Sequence, residues 1–327
     1  MTLVVAGFDG DEIFFIGDSA ITNGLSTIPK TILSGFKKIY AIPIVVHAPY
    51  FVKEFRRYIP FDSYKAESVV ALAGNTLIAQ HILNTINEHL TKVRVNYSYN
   101  NGITTYSLIR HCDLRNNQFY NEGRIWDESE LSYDEVLSAI QVNDLKDIIE
   151  YSISEAVRSA SKHVLGEEDW KRVKDNEYLF SLSCPHKREN FLYRVEFGEE
   201  ESGEGVKAIP KVESIPKGQI GIIGLRRFNE ELCEKYNELV VAQSNISLEM
   251  LNYFEQIIDN CNEQGYKGVA KPIIYKRYNN AKLTKAVNIK ENGDWIKTDE
   301  NDIARIVQDK NKELSSVNNY EYDFSDI

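Results

Sequence analysis

Residues 2–22 read TLVVAGFDGDEIFFIGDSAIT, two apolar runs hinged at Asp9-Gly10 and closed by Asp18-Ser19. Asp-Gly between apolar runs is a strong hairpin signal, so LVVAGF and EIFFIG are expected to pair as antiparallel strands. A chain start is normally frayed and tolerant. One that is strand-like from Leu3 either packs for stability or holds its terminus in place, with Thr2 at one end of the hairpin and Asp18 sixteen positions later at the other.

Composition narrows the surroundings of this hairpin. With 327 residues and 43% hydrophobic content the chain can bury a sizeable core. A net charge of -11 without a Lys/Arg run argues against a nucleic-acid partner, because affinity for a phosphate backbone needs clustered cations. Cys112, Cys184, Cys233 and Cys261 are far apart and form no CxxC pair, so neither a zinc site nor a disulfide framework is expected. No metal or cofactor is anticipated. No apolar run approaches the roughly 20 residues that span a bilayer, and the start lacks a basic region followed by an apolar one, which points to a cytoplasmic protein without a membrane partner.

Working outward, KKIYAIPIVVHA (37–48) reads as one strand or two, and the aromatic, basic stretch 48–67 reads as an insertion before the strand ESVVALAG. TLIAQHILNTINEHL has apolar residues at 77, 78, 82, 83, 86 and 90, a helical period. VRVNYSYN, TTYSLIRHCDL and QFYNEGRIW read as strands or an excursion, and 134–165 as a long helical region broken near Asn143. EYLFSLSCP and ENFLYRVEFG form a strand pair, GEEESGEG a solvated loop, and QIGIIGL a core strand. EELCEKYNELVVAQ and LEMLNYFEQIIDNCNEQ are helical, and AKPIIYKRY is a strand. This order predicts an α+β, four-layer αββα sandwich of two antiparallel sheets between helices. One domain is expected over 1–295, followed by a polar, acidic tail over 296–327. His47 and His81 are read as structural or surface residues, and His186 as part of a hairpin loop.

The opening resembles the start of mature proteasome β-subunits and of the HslV-type peptidases, families of the N-terminal-nucleophile (Ntn) hydrolase fold. Those proteins begin with a catalytic threonine, run the same strand-turn-strand, and place an Asp-Ser pair at the end of the second strand. GFKKIYAIP resembles the segment that carries the family's catalytic lysine, best matched by Lys38, with Lys37 as the competing register. ALAGNTLIAQHIL resembles the element whose glycine N–H forms the oxyanion hole, which maps to Gly74. The resemblance covers 1–42 and 68–90 and extends to PKGQIGIIGL and GVAKPII.

What the resemblance implies is chemically coherent. With Met1 removed, Thr2 carries a hydroxyl nucleophile and a free α-amine, whose unperturbed pKa of roughly 7.7–8.0 lets it take the hydroxyl proton near neutrality. A Lys38 ammonium would depress the amine and hydroxyl pKa values, and Asp18 would hold that lysine charged and oriented. The Gly74 N–H, with a helix dipole behind it, would face the developing oxyanion, at typically about 3 kcal/mol per donor.

Departures from the family pattern leave alternatives. Leu225 stands where the family places a serine, and Gly265 and Gly268 stand where it places an aspartate and a serine. Glu263 or Asp259 could substitute only with a reshaped loop. The implied activities are therefore a threonine peptidase acting on peptides or unfolded proteins inside a homo-oligomer with an ATP-dependent unfoldase as partner, a non-catalytic scaffold subunit, or a small-molecule amidase on the same fold.

Overall fold

The computed structural model of the chain describes residues 2–22, 30–101, 103–121, 131–158, 167–202, 205–284, 287–291 and 294–298. It divides into two units, Met1–Thr284 and Lys285–Ile327. The first unit begins with strands β1 (Leu3–Asp9), β2 (Glu12–Gly17), β3 (Ile21–Thr22), β4 (Thr31–Leu33), β5 (Ile39–Ile44), β6 (Val46–Val52), β7 (Glu54–Pro60) and β8 (Ala66–Ala73). Helix α1 (Thr76–Leu90), β9 (Val93–Asn100) and β10 (Ile103–Ile109) follow, then α2 (Gln118–Asn121), α3 (Tyr133–Ser138), α4 (Val142–Arg158) and α5 (Glu167–Lys174). The remainder runs through β11 (Glu177–Ser183), β12 (Asn190–Ser202), β13 (Gly205–Ile215), β14 (Ile220–Gly224), α6 (Asn229–Ala242), α7 (Ile246–Glu263), β15 (Ile274–Asn279) and β16 (Lys282–Thr284). In the second unit β17 (Val287–Glu291) and β18 (Asp294–Thr298) pair as a hairpin, so position 295, the expected domain end, lies within β18. The expected tail over 296–327 lies almost wholly outside the described residues.

The opening hairpin forms as its sequence dictates. β1 and β2 pair antiparallel from Val4↔Gly17 to Asp9↔Glu12, closing on Gly10-Asp11. Every residue from Leu3 to Phe8 is buried, and Phe14, Phe15 and Ile16 are fully buried. Full burial of each large side chain is worth about 1.5–3 kcal/mol, so the chain start is anchored by packing as well as by ladder bonds. β1 lies between β2 and β14 in a five-stranded sheet ordered β14-β1-β2-β15-β16, and a second five-stranded sheet is ordered β13-β12-β11-β8-β5. Within both, every pairing is antiparallel.

Strand alternation sorts the side chains onto two cores. Val4, Ala6, Ile13 and Phe15 of the first sheet pack with Ile39, Val69, Ala71 and Leu179 of the second. The opposite face of the second sheet, carrying Val70, Leu72, Tyr178 and Phe180, packs against Ile82 and Ile86 of α1 and Ile149 and Ile153 of α4. On the far side of the first sheet, the Tyr236 hydroxyl from α6 bridges the Phe8 backbone, accepting from its N–H at 3.1 Å and donating to its carbonyl at 3.0 Å. The chain is thus α+β, with helices packed against antiparallel sheets.

Several elements differ from the sequence reading. The stretch 48–67, read as an insertion, carries strands: β6 and β7 pair with each other, and β6 joins β9 in the order β10-β9-β6-β7 to make a third, four-stranded sheet. The β6–β9 pairing is parallel. Phe51, Tyr97 and Phe119 are its apolar seed, with Phe55 and Tyr58 packed around them. Of GEEESGEG, read as a solvated loop, Gly198–Ser202 and Gly205 are strand. β12 continues to Ser202 and pairs in register with β13 down to Ser202↔Gly205. The unread strand was obscured by Pro210, which is tolerated because β13 is an edge strand. Gln118–Asn121, within a stretch read as a strand or an excursion, is helical, and 122–126 of the same stretch lie outside the described residues. α3, started by the Ser132–Glu135 capping box, ends at Ser138 and α4 begins at Val142, so the break expected near Asn143 falls at 139–141 with Asn143 itself inside α4. His186 lies in the turn joining β11 to β12, as expected, while His47 lies in β6 and His81 is exposed on α1.

Candidate active site

Thr2, Asp18, Lys38 and Gly74 converge because four strands end together. Leu3 lies opposite Asp18 at the open end of the first hairpin, and the two exchange bonds: the Leu3 N–H donates to Asp18 Oδ1 at 2.8 Å and the Asp18 N–H donates to the Leu3 carbonyl at 3.1 Å. The second carboxylate oxygen accepts from the Ala20 N–H at 2.8 Å. Asp18 therefore clamps the backbone one residue after Thr2. Lys38 immediately precedes β5, whose register against β8 is held by the Leu72 N–H donating to the Lys38 carbonyl at 3.0 Å. Its Nζ donates to Asp18 Oδ1 at 2.8 Å, with the lysine and aspartate side chains 2% and 0% exposed. Lys37 is exposed, its ammonium lying 5.0 Å from the Tyr40 ring centroid. Of the two lysines, Lys38 is the one that pairs with Asp18.

Burial pulls the Lys38 pKa below the ordinary lysine range, and the attraction and hydrogen bond of Asp18 oppose but do not cancel that effect. The ammonium is thus a more willing proton donor than a surface lysine.

Gly74 follows β8 and precedes Asn75, whose side chain caps α1 by accepting from the Leu77 and Ile78 N–H groups. Its φ of +118° is closed to ordinary side chains, and a Cβ there would lie 2.6 Å from Asn176 Oδ1. Thr2, Lys38 and Gly74 together line a small cavity of about 40 Å³, with Phe36, Leu72 and Thr76 among its walls. On the other side, Thr2 and Gly74 border a larger cleft of about 460 Å³ whose walls include Glu177, Glu196, Lys174 and Arg226. Thr2 itself is 8% exposed.

Two contributors carry no obvious sequence signal. The Thr2 carbonyl accepts from the Leu225 N–H at 2.9 Å, so the segment after β14 holds the nucleophile candidate by backbone alone. Gly224, at φ +95°, makes room for this, since a Cβ there would collide with the Thr2 carbonyl. Glu177, nearly buried at the start of β11, accepts from the Gly224 N–H at 2.7 Å and pairs with Arg194 at 3.0 Å. The hint in the sequence was an acid opening a fully buried strand, EYLFSLS.

The departures also find their places. Leu225 lines the Thr2 cleft with no hydroxyl to offer. The segment containing Gly268 approaches the site through Ala270, whose carbonyl accepts from the Ser19 N–H at 3.1 Å. Gly265 sits in the turn after α7 with open space around it. Asp259 is engaged by Lys271 at 2.8 Å and Glu263 is exposed, and neither lines the cavity or the cleft beside Thr2.

Gly224→Ala is expected to cost about 2–3 kcal/mol from the strained φ and the forced shift of Thr2, seen as a drop of roughly 4–12 °C in the thermal midpoint. Gly218→Ala, at φ +88° with nothing within 4 Å, is the control for strain without collision and should cost less. Equal losses in the two variants would show that the Thr2 contact has no energetic weight.

No family model and no curated protein matches the sequence. Among solved structures, Anbu from Hyphomicrobium sp. strain MC1 aligns over 100% of both chains at 15% identity, with a TM-score of 0.45, and its Gly-1 mutant reaches 0.48 at the same identity and coverage. Thiobacillus denitrificans BPH in complex with epoxomicin aligns over 85% of this chain and 98% of its own at 8% identity and a TM-score of 0.34. No described helix is long and apolar enough to cross a membrane. Through Thr2, Asp18, Lys38 and Gly74, in their order along the chain and their meeting at one end of the paired sheets, the chain resembles the proteasome β-subunit and HslV-type family of the Ntn-hydrolase fold.

Proposed function

We propose that the chain is a proteasome-like N-terminal threonine peptidase, built on the four-layer αββα arrangement and working in the cytoplasm inside a self-assembled oligomer. The observation that carries this reading is the buried Lys38–Asp18 pair behind a cavity that Thr2 and Gly74 also line. In the proposed reaction, Thr2 with a free amine attacks a peptide carbonyl through Oγ1, and its hydroxyl proton passes to the α-amine, directly or through a water. The Gly74 N–H stabilises the oxyanion, the amine proton leaves with the departing peptide amine, and water then cleaves the ester to restore the hydroxyl. Lys38 holds a positive charge beside this exchange and Asp18 fixes its direction. A polar cleft of about 460 Å³ is ample for an extended peptide on the outer side of Thr2.

Enclosure in an oligomer would keep such a site from acting indiscriminately, and an ATP-dependent unfoldase would deliver unfolded substrates to it. The competing scaffold reading draws on Leu225, Gly265 and Gly268, which leave the amine without the family's polar support.

A peptide epoxyketone tests the reading, because its two electrophilic centres require a hydroxyl and an amine on one residue. Protein with Thr2 at its terminus is expected to form a one-to-one adduct located at Thr2 by peptide mass mapping. Assembly without adduct formation, and without cleavage in a broad peptide library, would assign the chain to the scaffold class. Cleavage of small amides but no peptides would assign it to the amidase class.

A further inference from the structure

At the opposite end of α1 from Gly74, three side chains gather that play no part in the proposed reaction. His89 occupies the last turn of α1 and is 6% exposed, and His111 and Cys112 lie just after β10. One ring nitrogen of each histidine and the cysteine sulfur lie within 4.8 Å of one another. The 15 residues of α1 separate this cluster from the Gly74 end by roughly 20 Å.

The hydrogen bonding fixes which nitrogen His89 offers. The Ser152 hydroxyl has one proton and donates it to the Ile148 carbonyl at 2.6 Å. Its oxygen is therefore the acceptor for His89 Nδ1–H at 2.8 Å. His89 Nε2 then presents its lone pair, 3.7 Å from Cys112 Sγ. A tetrahedral zinc ion with N and S ligands at its usual bond lengths sets them roughly 3.6 Å apart, so this pair already stands at ligand spacing. An acceptor on the outer ring N–H, here the Ser152 hydroxyl where a carboxylate, backbone carbonyl or water is usual, fixes the tautomer and orientation of a metal-bound histidine. His111 supplies the third group. Its Nδ1 is buried and finds no hydrogen-bond partner, while its Nε2 lies 4.0 Å from the Glu88 carboxylate. Burial is the leading cause that lowers the pKa of both histidines, which keeps their lone pairs available.

The neighbouring cations do not close the site to a metal. Lys92 is paired with Glu88, Arg110 with Asp113, and Arg94 donates to the His111 carbonyl.

We propose that His89, His111 and Cys112 form a binding site for a zinc-type divalent ion, with a water as the fourth ligand. The set of one thiolate and two imidazoles suits zinc and its transition-metal neighbours and excludes magnesium and calcium, which take oxygen ligands. Such an ion would pin the segment after β10 to the end of α1, and through Ser152 to α4. It would therefore brace the four-stranded sheet against the helical layer. The sequence conceals the site because its ligands are a lone histidine at the end of a helix and a His-Cys pair 22 positions later, with no repeated spacing.

The full chain, free of any polyhistidine tag, can be titrated with Co²⁺ and then Zn²⁺. One equivalent of Co²⁺ is expected to bind at micromolar concentration, with an intense thiolate-to-cobalt band in the near ultraviolet that Zn²⁺ abolishes. Cys112→Ser, at an exposed position, should fold normally and lose that band. Ser152→Ala keeps all three ligands but frees the His89 ring, and should weaken binding 10- to 100-fold. The proposal is overturned if the wild-type chain takes up no metal at micromolar concentration, or if Cys112→Ser keeps the charge-transfer band unchanged.

Discussion

Thr2→Ala should abolish peptide hydrolysis and epoxyketone labelling while leaving the protein folded and assembled. The substitution removes a hydroxyl and one methyl from a residue whose backbone carbonyl remains bonded to the Leu225 N–H. The packing loss is about 1 kcal/mol, a shift of only a few degrees in the thermal midpoint of a chain this size. No other described residue lining the small cavity can act as nucleophile by the same route, since only the terminal residue can pair its hydroxyl with an α-amine. Thr2→Ser keeps both groups and should retain part of the rate. Full activity in Thr2→Ala would remove the threonine mechanism entirely, whereas unfolding of the variant would show that Thr2 is needed for packing.

Lys38→Met should be the most damaging conservative change for stability. Methionine keeps most of the apolar stem but leaves the Asp18 carboxylate buried at 0% exposure with, among the described residues, only the Leu3 and Ala20 N–H groups to compensate its charge. Removing one partner of a buried pair typically costs 3–5 kcal/mol. Urea unfolding should register that loss, and the double variant Lys38→Met/Asp18→Asn should recover part of it because no uncompensated charge remains. Activity should fail in both variants. In the wild type, a mechanism that requires the Lys38 ammonium loses rate as pH rises through the Lys38 pKa. Because burial lowers that pKa, the basic limb of kcat/KM should fall below the ordinary lysine value of about 10.4. A Lys38→Met variant as stable as wild type would mean that the ion pair is not energetically coupled to the fold.

The sequence disclosed the parts of the site that depend on local rules and concealed those that depend on distant ones. Asp9-Gly10 between apolar runs announces a hairpin, and a hairpin of that length necessarily puts Asp18 beside Leu3. Lys38 is preferred over Lys37 through the family resemblance alone, and it is the fold that pairs Lys38 with Asp18 and leaves Lys37 exposed. Glu177 and Gly224 were not legible as site residues, since the Glu177 carboxylate accepts from the Gly224 N–H 47 positions away and Gly224 meets the Thr2 carbonyl across more than 200. The third sheet was hidden for the same reason: β6 and β9 pair in parallel across α1, and nothing in either strand names the other. β13 was missed because a proline and polar residues masked an edge strand whose partner supplies the order.

The placement of β1 bears on events during synthesis. Leu3 pairs with Gly224, so the strand that holds Thr2 lacks one of its two sheet partners until β14 has been made. Those partners are about 220 residues apart, and at roughly 5–20 residues per second the ribosome needs about 10–45 s to connect them. Throughout that interval the Leu225 N–H and the Gly224 turn are not yet present to hold the Thr2 carbonyl, and a processing peptidase has open access to the bond that frees the Thr2 amine. After β14 docks, the same residue is 8% exposed. Under the proposed function, trimming to Thr2 would compete with the arrival of this late strand, and slowing elongation upstream of position 220 should then raise the trimmed fraction.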